Sequence, residues 1–358
     1  MTSKEPCLNS KKIVLSLATI SFLASCANAA LNSEIKTYDE ANKNLKARSA
    51  ASVYSPQARI DTTINSSHDS KIEFTDQGPH TIIIEAGGTL GSIGNTDRII
   101  YAHVNNSNTL TLTNLTNKGT INGKVAVEHD QGFTGTITVN TFENTGQING
   151  QIYMGIWGGN SGTLSIDKFT NSGTIAANTG NAVFFEGANA NVKNFTNTGN
   201  ILGQSGNGVF IKSSIDNFTN KGTIKSTGNG EPSVYGASTG VKLQTNTIKT
   251  FINEGLISAI VGVDLTQGNI ENFINKGTIE STSSSNFGAA INLSAFYGNP
   301  SIIDNFTNEG TIKSNSNGIL SEAGNKINTL INKGSIEVSL NGISFYDNGD
   351  AGGSGNKI

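Results

Sequence analysis

One seven-residue pattern recurs nine times along this chain and decides most of what it can fold into: an aromatic residue or Leu, any residue, Asn, any residue, Gly, any residue, Ile. Its Asn positions are Asn117, Asn144, Asn171, Asn197, Asn220, Asn253, Asn275, Asn308 and Asn332. Leu115 opens the first copy, Leu330 the last, and Phe the copies between. Intervals between the glycines are 27, 27, 26, 23, 33, 22, 33 and 24 residues. Self-similarity at this period is the signature of a solenoid, propeller or array.

The phase inside the pattern is that of a strand. With the aromatic position counted as zero, Phe, Asn, Gly and Ile fall at 0, +2, +4 and +6, and position +8 continues the series with mostly small residues. A period of two places these side chains on one face, with Thr, Ser, Lys and Glu on the other. Another apolar column lies three residues before the aromatic: Leu112, Val139, Ile166, Val192, Ile215, Ile248, Ile270, Ile303 and Ile327. An odd offset cannot share a face along a straight strand, so a corner is expected between the two columns, at pairs such as Asp216-Asn217. A third apolar patch precedes that corner, for example Val209-Ile211 and Val263-Leu265. Three short strands per repeat, stacked on the next repeat, predict an all-β chain: a right-handed parallel β-helix of about nine to eleven rungs.

Charge supports in-register stacking. Position +3 reads Lys221, Glu254, Lys276, Glu309, Lys333 over five successive repeats, and position −2 gives Asp167, Lys193, Asp216, Lys249, then Glu271 and Asp304. Like charges directly opposite are destabilising, so alternation is what strands at ~4.8 Å favour. The inward Asn column is expected to form an amide ladder, each side chain donating to one neighbour and accepting from the other. Nine rungs would make a stack of roughly 45 Å. Residues 71–75 and 81–85 look like strands that could cap its first end. The two 33-residue units carry Pro232 and Pro300, which predicts loops near 228–239 and 295–301.

Composition fits an elongated array better than conventional globular cores. Hydrophobic residues make up 35%, charged residues 14%, and there are 42 Gly. The net charge of −3 removes the usual reason for disorder. It also argues against nucleic acid, because the chain has only Arg48, Arg59 and Arg98 as planar phosphate forks.

The first residues read as an export signal. Lys4, Lys11 and Lys12 precede an apolar run of twelve residues, 13–24, too short to span a bilayer but right for a signal peptide. The run ends in Leu23-Ala24-Ser25-Cys26, which resembles the bacterial lipobox, so residues 1–25 are expected to be removed and Cys26 to carry lipid. Ala27-Asn28-Ala29 offers a rival site for ordinary signal peptidase, which would discard Cys26. We favour the lipoprotein, since an unpaired Cys otherwise has no purpose in an exported chain. Ala27, where an Asp would imply inner-membrane retention, by the same resemblance sends the lipid to the outer membrane. Residues 26–70 read as a flexible spacer, 71–110 as an N-terminal cap with the first rungs, 111–345 as the repeats and 346–358 as a truncated tail.

Little in the sequence points to chemistry. His68, His80, His103 and His129 share no metal-like spacing, so no metal is expected. The glycine-rich stretch 85–94 lacks the context of a phosphate cradle and reads as a turn. Asp167, Asp216 and Asp304 are the only candidates for a polysaccharide hydrolase or lyase, but they lie in separate rungs with no Arg nearby. No catalytic residue and no cofactor is assigned. The candidate binding residues are aromatic: Tyr235 and the Phe296–Tyr297 pair on the predicted loops, and Trp157 beside Tyr153, which alternatively fills a wide rung.

A signal peptide and lipobox followed by repeats such as Asp216-Asn-Phe-Thr-Asn-Lys-Gly-Thr-Ile224 resemble autotransporter (type V secretion) adhesin passengers, in particular the CapA-type lipoprotein adhesins of campylobacters. The resemblance covers residues 1 to about 345 and implies a non-enzymatic adhesin on the outer membrane that attaches to a host-cell receptor. Such proteins end in a β-barrel translocator of about 250–300 residues. This chain reaches Ile358 partway into a further rung, so a truncated or split reading frame is expected, with the barrel encoded elsewhere or lost. The alternatives are a β-helix enzyme that cleaves polysaccharide, or an inert fragment of a broken gene.

Overall fold

The computed structural model describes residues 60–75, 78–228, 238–295, 299–322 and 324–346. Every regular element among them is a β-strand, from Ile60–Ile64 to Ile343–Tyr346. One rung illustrates the rest. Thr136–Asn144 forms its first side, Gln147–Asn149 its second and Ile152–Gly155 its third. The chain then returns one level along, and Thr163–Asn171 lies parallel to Thr136–Asn144 with Phe142 opposite Phe169 and Asn144 opposite Asn171. We call the three sides the Phe, Ile and Val faces after their inward columns.

The Ile face is an eleven-stranded parallel sheet, one strand per rung. The Phe and Val faces are joined into one twenty-stranded sheet because Val183–Asn197 and Val209–Asn220 each run through both without a break. The architecture is therefore a parallel β-helix, with eleven rungs among the described residues. Its first rung is built from Ile60–Ile64, Ser67–His68 and Ile72–Phe74, so it begins inside the stretch read from sequence as a spacer. Residues 72–74 and 80–84 are ordinary rung strands, paired in parallel with Ile100–Ala102 and with the strand that starts at Thr109, and do not form a separate cap.

The corners fall differently from the sequence expectation. The columns at −3 and 0 belong to one strand, kinked where two successive residues point outward, as at Thr113 and Asn114. The pairing ladder skips the kink: Val139 pairs Ile166 and Thr141 pairs Lys168, with position −2 left out. The sharper turn sits inside the repeat, at +3 and +4, where Phe-face strands end at Asn and Ile-face strands begin one residue after Gly. The peptide carbonyl of Asn117 accepts both N–H groups of that turn in the next rung, from Thr145 at 2.8 Å and Gly146 at 3.1 Å. Glycine is required there by close approach: a Cβ on Gly146 would stand 2.1 Å from the carbonyl oxygen of Gly119. The same distance recurs at Gly199, Gly222, Gly255, Gly277 and Gly310.

Inside, the columns are continuous. Phe142, Phe169, Phe195, Phe218 and Phe251 stack with centroids 4.5–5.1 Å apart and nearly parallel planes. Beyond Phe273 the run changes to an edge contact with Phe306 at 81°. The Asn amides form a buried chain in which Nδ2 of each donates to Oδ1 of the next, from Asn117–Asn144 at 2.7 Å to Asn308–Asn332 at 2.7 Å. Each Nδ2 also donates to a main-chain carbonyl one rung on, as Asn144 does to Thr174 at 3.2 Å. Stacking and these main-chain contacts together satisfy the interior amides, which removes the penalty an isolated buried Asn would carry.

Candidate binding surface

The residues proposed from sequence separate into those the structure describes and those it does not. Cys26, Tyr235, Phe296 and Tyr297 lie outside the described residues, as does Pro232. Pro300 falls between the strands Ala289–Ser294 and Ile302–Asn308. Trp157 is 39% exposed on the turn after Ile152–Gly155 and does not fill the core. Its ring stacks on His129 at 5.0 Å, and His129 stacks in turn on Phe133 at 5.2 Å.

The three outward aspartates are ladder partners. Asp167 pairs with Lys193 at 2.6 Å, Asp216 with Lys249 at 2.8 Å, and Asp304 accepts from Asn328 at 2.8 Å. The Lys249 hydrogen bond holds the Asp216 carboxyl below its ordinary range. A carboxylate kept ionised by a lysine is poorly suited to act as a general acid. Position +3 shows the same pattern, with Glu254 between Lys221 at 3.2 Å and Lys276 at 3.8 Å.

The outer side of the Val face in the early rungs departs from this plain Thr, Ser and charge-ladder surface. The register aligns Glu73, Tyr101, Ala126, Tyr153, Phe184 and Phe210 in one outward column. Phe184 and Phe210 stack at 4.8 Å. Cations lie on these rings: Arg98 and Lys71 on Tyr101, Lys124 on Tyr153 at 4.5 Å, and Lys212 on Phe210 at 5.3 Å. Carboxylates complete the network. Arg98 contacts the buried Glu128 at 2.7 Å, the Tyr153 hydroxyl donates to Glu186 at 2.9 Å, and His103 lies between Glu73 and Asp130. Burial, reinforced by Glu128, pushes the Tyr101 hydroxyl up to about 12, and burial beside Glu186 raises that of Tyr153. Both phenols stay protonated and act as donors. Burial lowers the Lys124 ammonium from its ordinary value.

A groove of about 350 Å³ opens beside Lys124, where the Ile and Val faces meet. Lys124, then Asn149 and Gln151, then Asn178 line it on three successive rungs, and the loop carrying Ile93 and Asn95 forms its wall. That loop is the glycine-rich turn recognised in the sequence. Gly91 and Gly94 take the left-handed conformation, at φ 81° and 84°, and lift Ile93 to 94% exposure. The wall is tied down: Asn122 Nδ2 donates to the Gly91 carbonyl at 3.0 Å, and Asn95 Oδ1 accepts the Asp97 N–H at 2.8 Å. Asn149 Nδ2 donates to Asn122 Oδ1 at 2.8 Å, a second, outer amide contact. The groove is therefore pre-formed, polar below and apolar along one wall. Sequence reading missed it because its parts lie on different rungs and meet only through stacking; the faint signal was Lys124 and Gln151, each directly after the small residue at +8.

Among the described residues, no group of three or more His, Cys, Asp or Glu is placed as metal ligands are. Comparison with known protein families, curated proteins and solved structures finds no significant match.

Proposed function

We propose that this chain is a non-enzymatic cell-surface adhesin passenger of the autotransporter type, exported through its signal peptide and anchored to the outer membrane by lipid on Cys26. The observation that carries the reading is the unbroken stack of eleven rungs with continuous outward columns. A rigid array of this kind can hold many weak contacts in fixed register, and such contacts add through multivalency. The polar groove and aromatic network on the Val face supply the recognition surface, and the receptor lies on a host cell. The partner this export route requires is an outer-membrane β-barrel translocator.

Attachment of a deletion strain to cultured host cells, with and without the complementing gene, tests the proposal. Attachment should fall several-fold on deletion and return on complementation. Equal attachment by parent and deletion strains overturns it. Incorporation of labelled palmitate, abolished by Cys26→Ala, tests the anchor separately.

A further inference from the structure

We propose that the groove beside Ile93 binds an acidic glycan, with the Lys124 ammonium taking a sugar carboxylate and the amides of Gln151 and Asn178 taking hydroxyls. This rests on the adhesin reading and names the class of receptor it would recognise.

The charge on Lys124 is the first argument. Most other lysines among the described residues meet carboxylates: Lys118 reaches Glu85 at 3.1 Å, Lys193 Asp167 at 2.6 Å and Lys249 Asp216 at 2.8 Å; Lys168, Lys225 and Lys326 do not, but none of these lines the groove. Lys124 is half-buried against the Tyr153 ring and among the described residues makes no ion pair. Withdrawing an ammonium from water without a counter-charge is costly, and a ring face compensates only in part. The carboxylates whose charge reaches it, Glu128 and Glu186, make their direct contacts elsewhere, Glu128 with Arg98 and Glu186 with Tyr153 and Lys212. An anion arriving through the groove would complete the site.

Hydroxyl recognition is the second argument. Gln151 follows Lys124 by one rung, and Asn178 follows Gln151 when the Ile-face register, which pairs Asn149 with Ala176, is continued. Neither side-chain amide has a hydrogen bond within the described residues, whereas the interior amides of the inner ladder both donate and accept. A carboxamide donates and accepts side by side, as a sugar hydroxyl does. Ile93 adds an apolar wall that a pyranose C–H face would cover, and the bonded turn beneath it makes the wall rigid before binding. A protein partner would need about 800 Å² on its own side, more than this groove offers. A nucleic acid backbone needs clustered cations, and among the described residues Lys124 is the one charged side chain that lines this groove.

The test is direct binding of the full-length chain to four probes: a sialyl-oligosaccharide, a glucuronate disaccharide, the matching neutral glucose disaccharide, and acetate. The expected result is binding of at least one acidic saccharide and no binding of the neutral one. Lys124→Gln should weaken that binding tenfold or more, Ile93→Ser several-fold, and Lys124→Arg should retain it. Circular dichroism and the urea midpoint confirm that each variant is folded. Failure of both acidic saccharides, or undiminished binding by folded Lys124→Gln, overturns the proposal. Acetate competing as well as the saccharide also overturns it, because the site would then hold only a small anion. A strain carrying Lys124→Gln that attaches normally, while the deletion strain does not, sinks this inference and leaves the adhesin reading standing.

Discussion

Asn117 donates its side-chain amide to Asn144 at 2.7 Å, yet the Asn117 oxygen, buried at the start of the ladder, has no donor. The reason lies one rung back, where Ile84 occupies the equivalent place. The ladder is therefore directional, with an orphan acceptor at its first member and every interior oxygen filled. Asn220→Ala would break two links, leaving the Asn253 oxygen without its donor and the Asn197 Nδ2 without its amide acceptor. Each buried group left unsatisfied costs about 1–3 kcal/mol. Asn117→Ala breaks one link and removes an acceptor that is already unfilled. The urea midpoint should fall clearly further for Asn220→Ala than for Asn117→Ala; equal falls would mean the amide chain is not what stabilises the rungs.

The glycine at +4 is a second point of failure. At Gly255 a Cβ would sit 2.1 Å from the Gly222 carbonyl oxygen, a backbone atom that cannot step aside without shifting its rung. Gly255→Ala should cost about 3 kcal/mol, at the upper end of overpacking penalties. Gly132→Ala is the control: that glycine has a positive φ of 83° but nothing within 4 Å of the added methyl, so only backbone strain is added, about 1–2 kcal/mol. Denaturant unfolding of the two variants should separate them by this margin.

The repeats were legible because burial forces polar side chains into identical company, and an Asn that returns nine times at an inward position is hard to satisfy except by stacking on its own copies. The Gly at +4 misled for a physical reason. The Ile face resumes the two-residue alternation after the turn, so period two runs on through a corner that only the 2.0–2.2 Å approach of the neighbouring backbone reveals. The first two rungs lack the motif altogether: Ile64 and Ile84 stand in the Asn column and Leu90 in the Ile column. Parallel stacking tolerates these replacements, since apolar side chains fill the same inward space without needing partners. The groove was invisible in one dimension. Ile93, Lys124, Gln151 and Asn178 become neighbours only once the rungs are superposed.

Two acids should move stability in opposite senses with pH. The Asp216 carboxyl, held low by Lys249, contributes stability that is present above its unfolded value of about 3.9 and is lost as pH falls through its folded value. Glu322 is the reverse: burial raises its carboxyl even though the Ala295 N–H donates to it at 3.2 Å. Its ionised form costs stability at neutral pH, and that cost fades as pH falls through the raised value towards about 4.3. Asp216→Asn should lower stability by up to about 1 kcal/mol at pH 7, with the deficit vanishing in acid. Glu322→Gln keeps an oxygen for Ala295 and should match or exceed the parent at pH 7, with any gain gone near pH 4. Urea midpoints across this range check both; slopes of the same sign would contradict the assignment.

The single tryptophan reports on the turn that carries it. His129 is buried, its Nε2 accepts the Trp157 backbone N–H at 2.9 Å, and its Nδ1 lies against the Asp130 carbonyl oxygen. A ring with its proton on Nδ1 serves both contacts while stacking between Phe133 and Trp157. His129→Leu retains an apolar side chain but removes the acceptor, leaving a partly buried N–H without a partner at a cost of about 1–3 kcal/mol. The loss falls on one turn, while the Phe and Asn columns are untouched. The variant should therefore show red-shifted tryptophan emission and faster exchange of the Trp157 amide, with a far-ultraviolet circular dichroism spectrum like the parent's. Unchanged emission and exchange would show that the imidazole does not hold the turn.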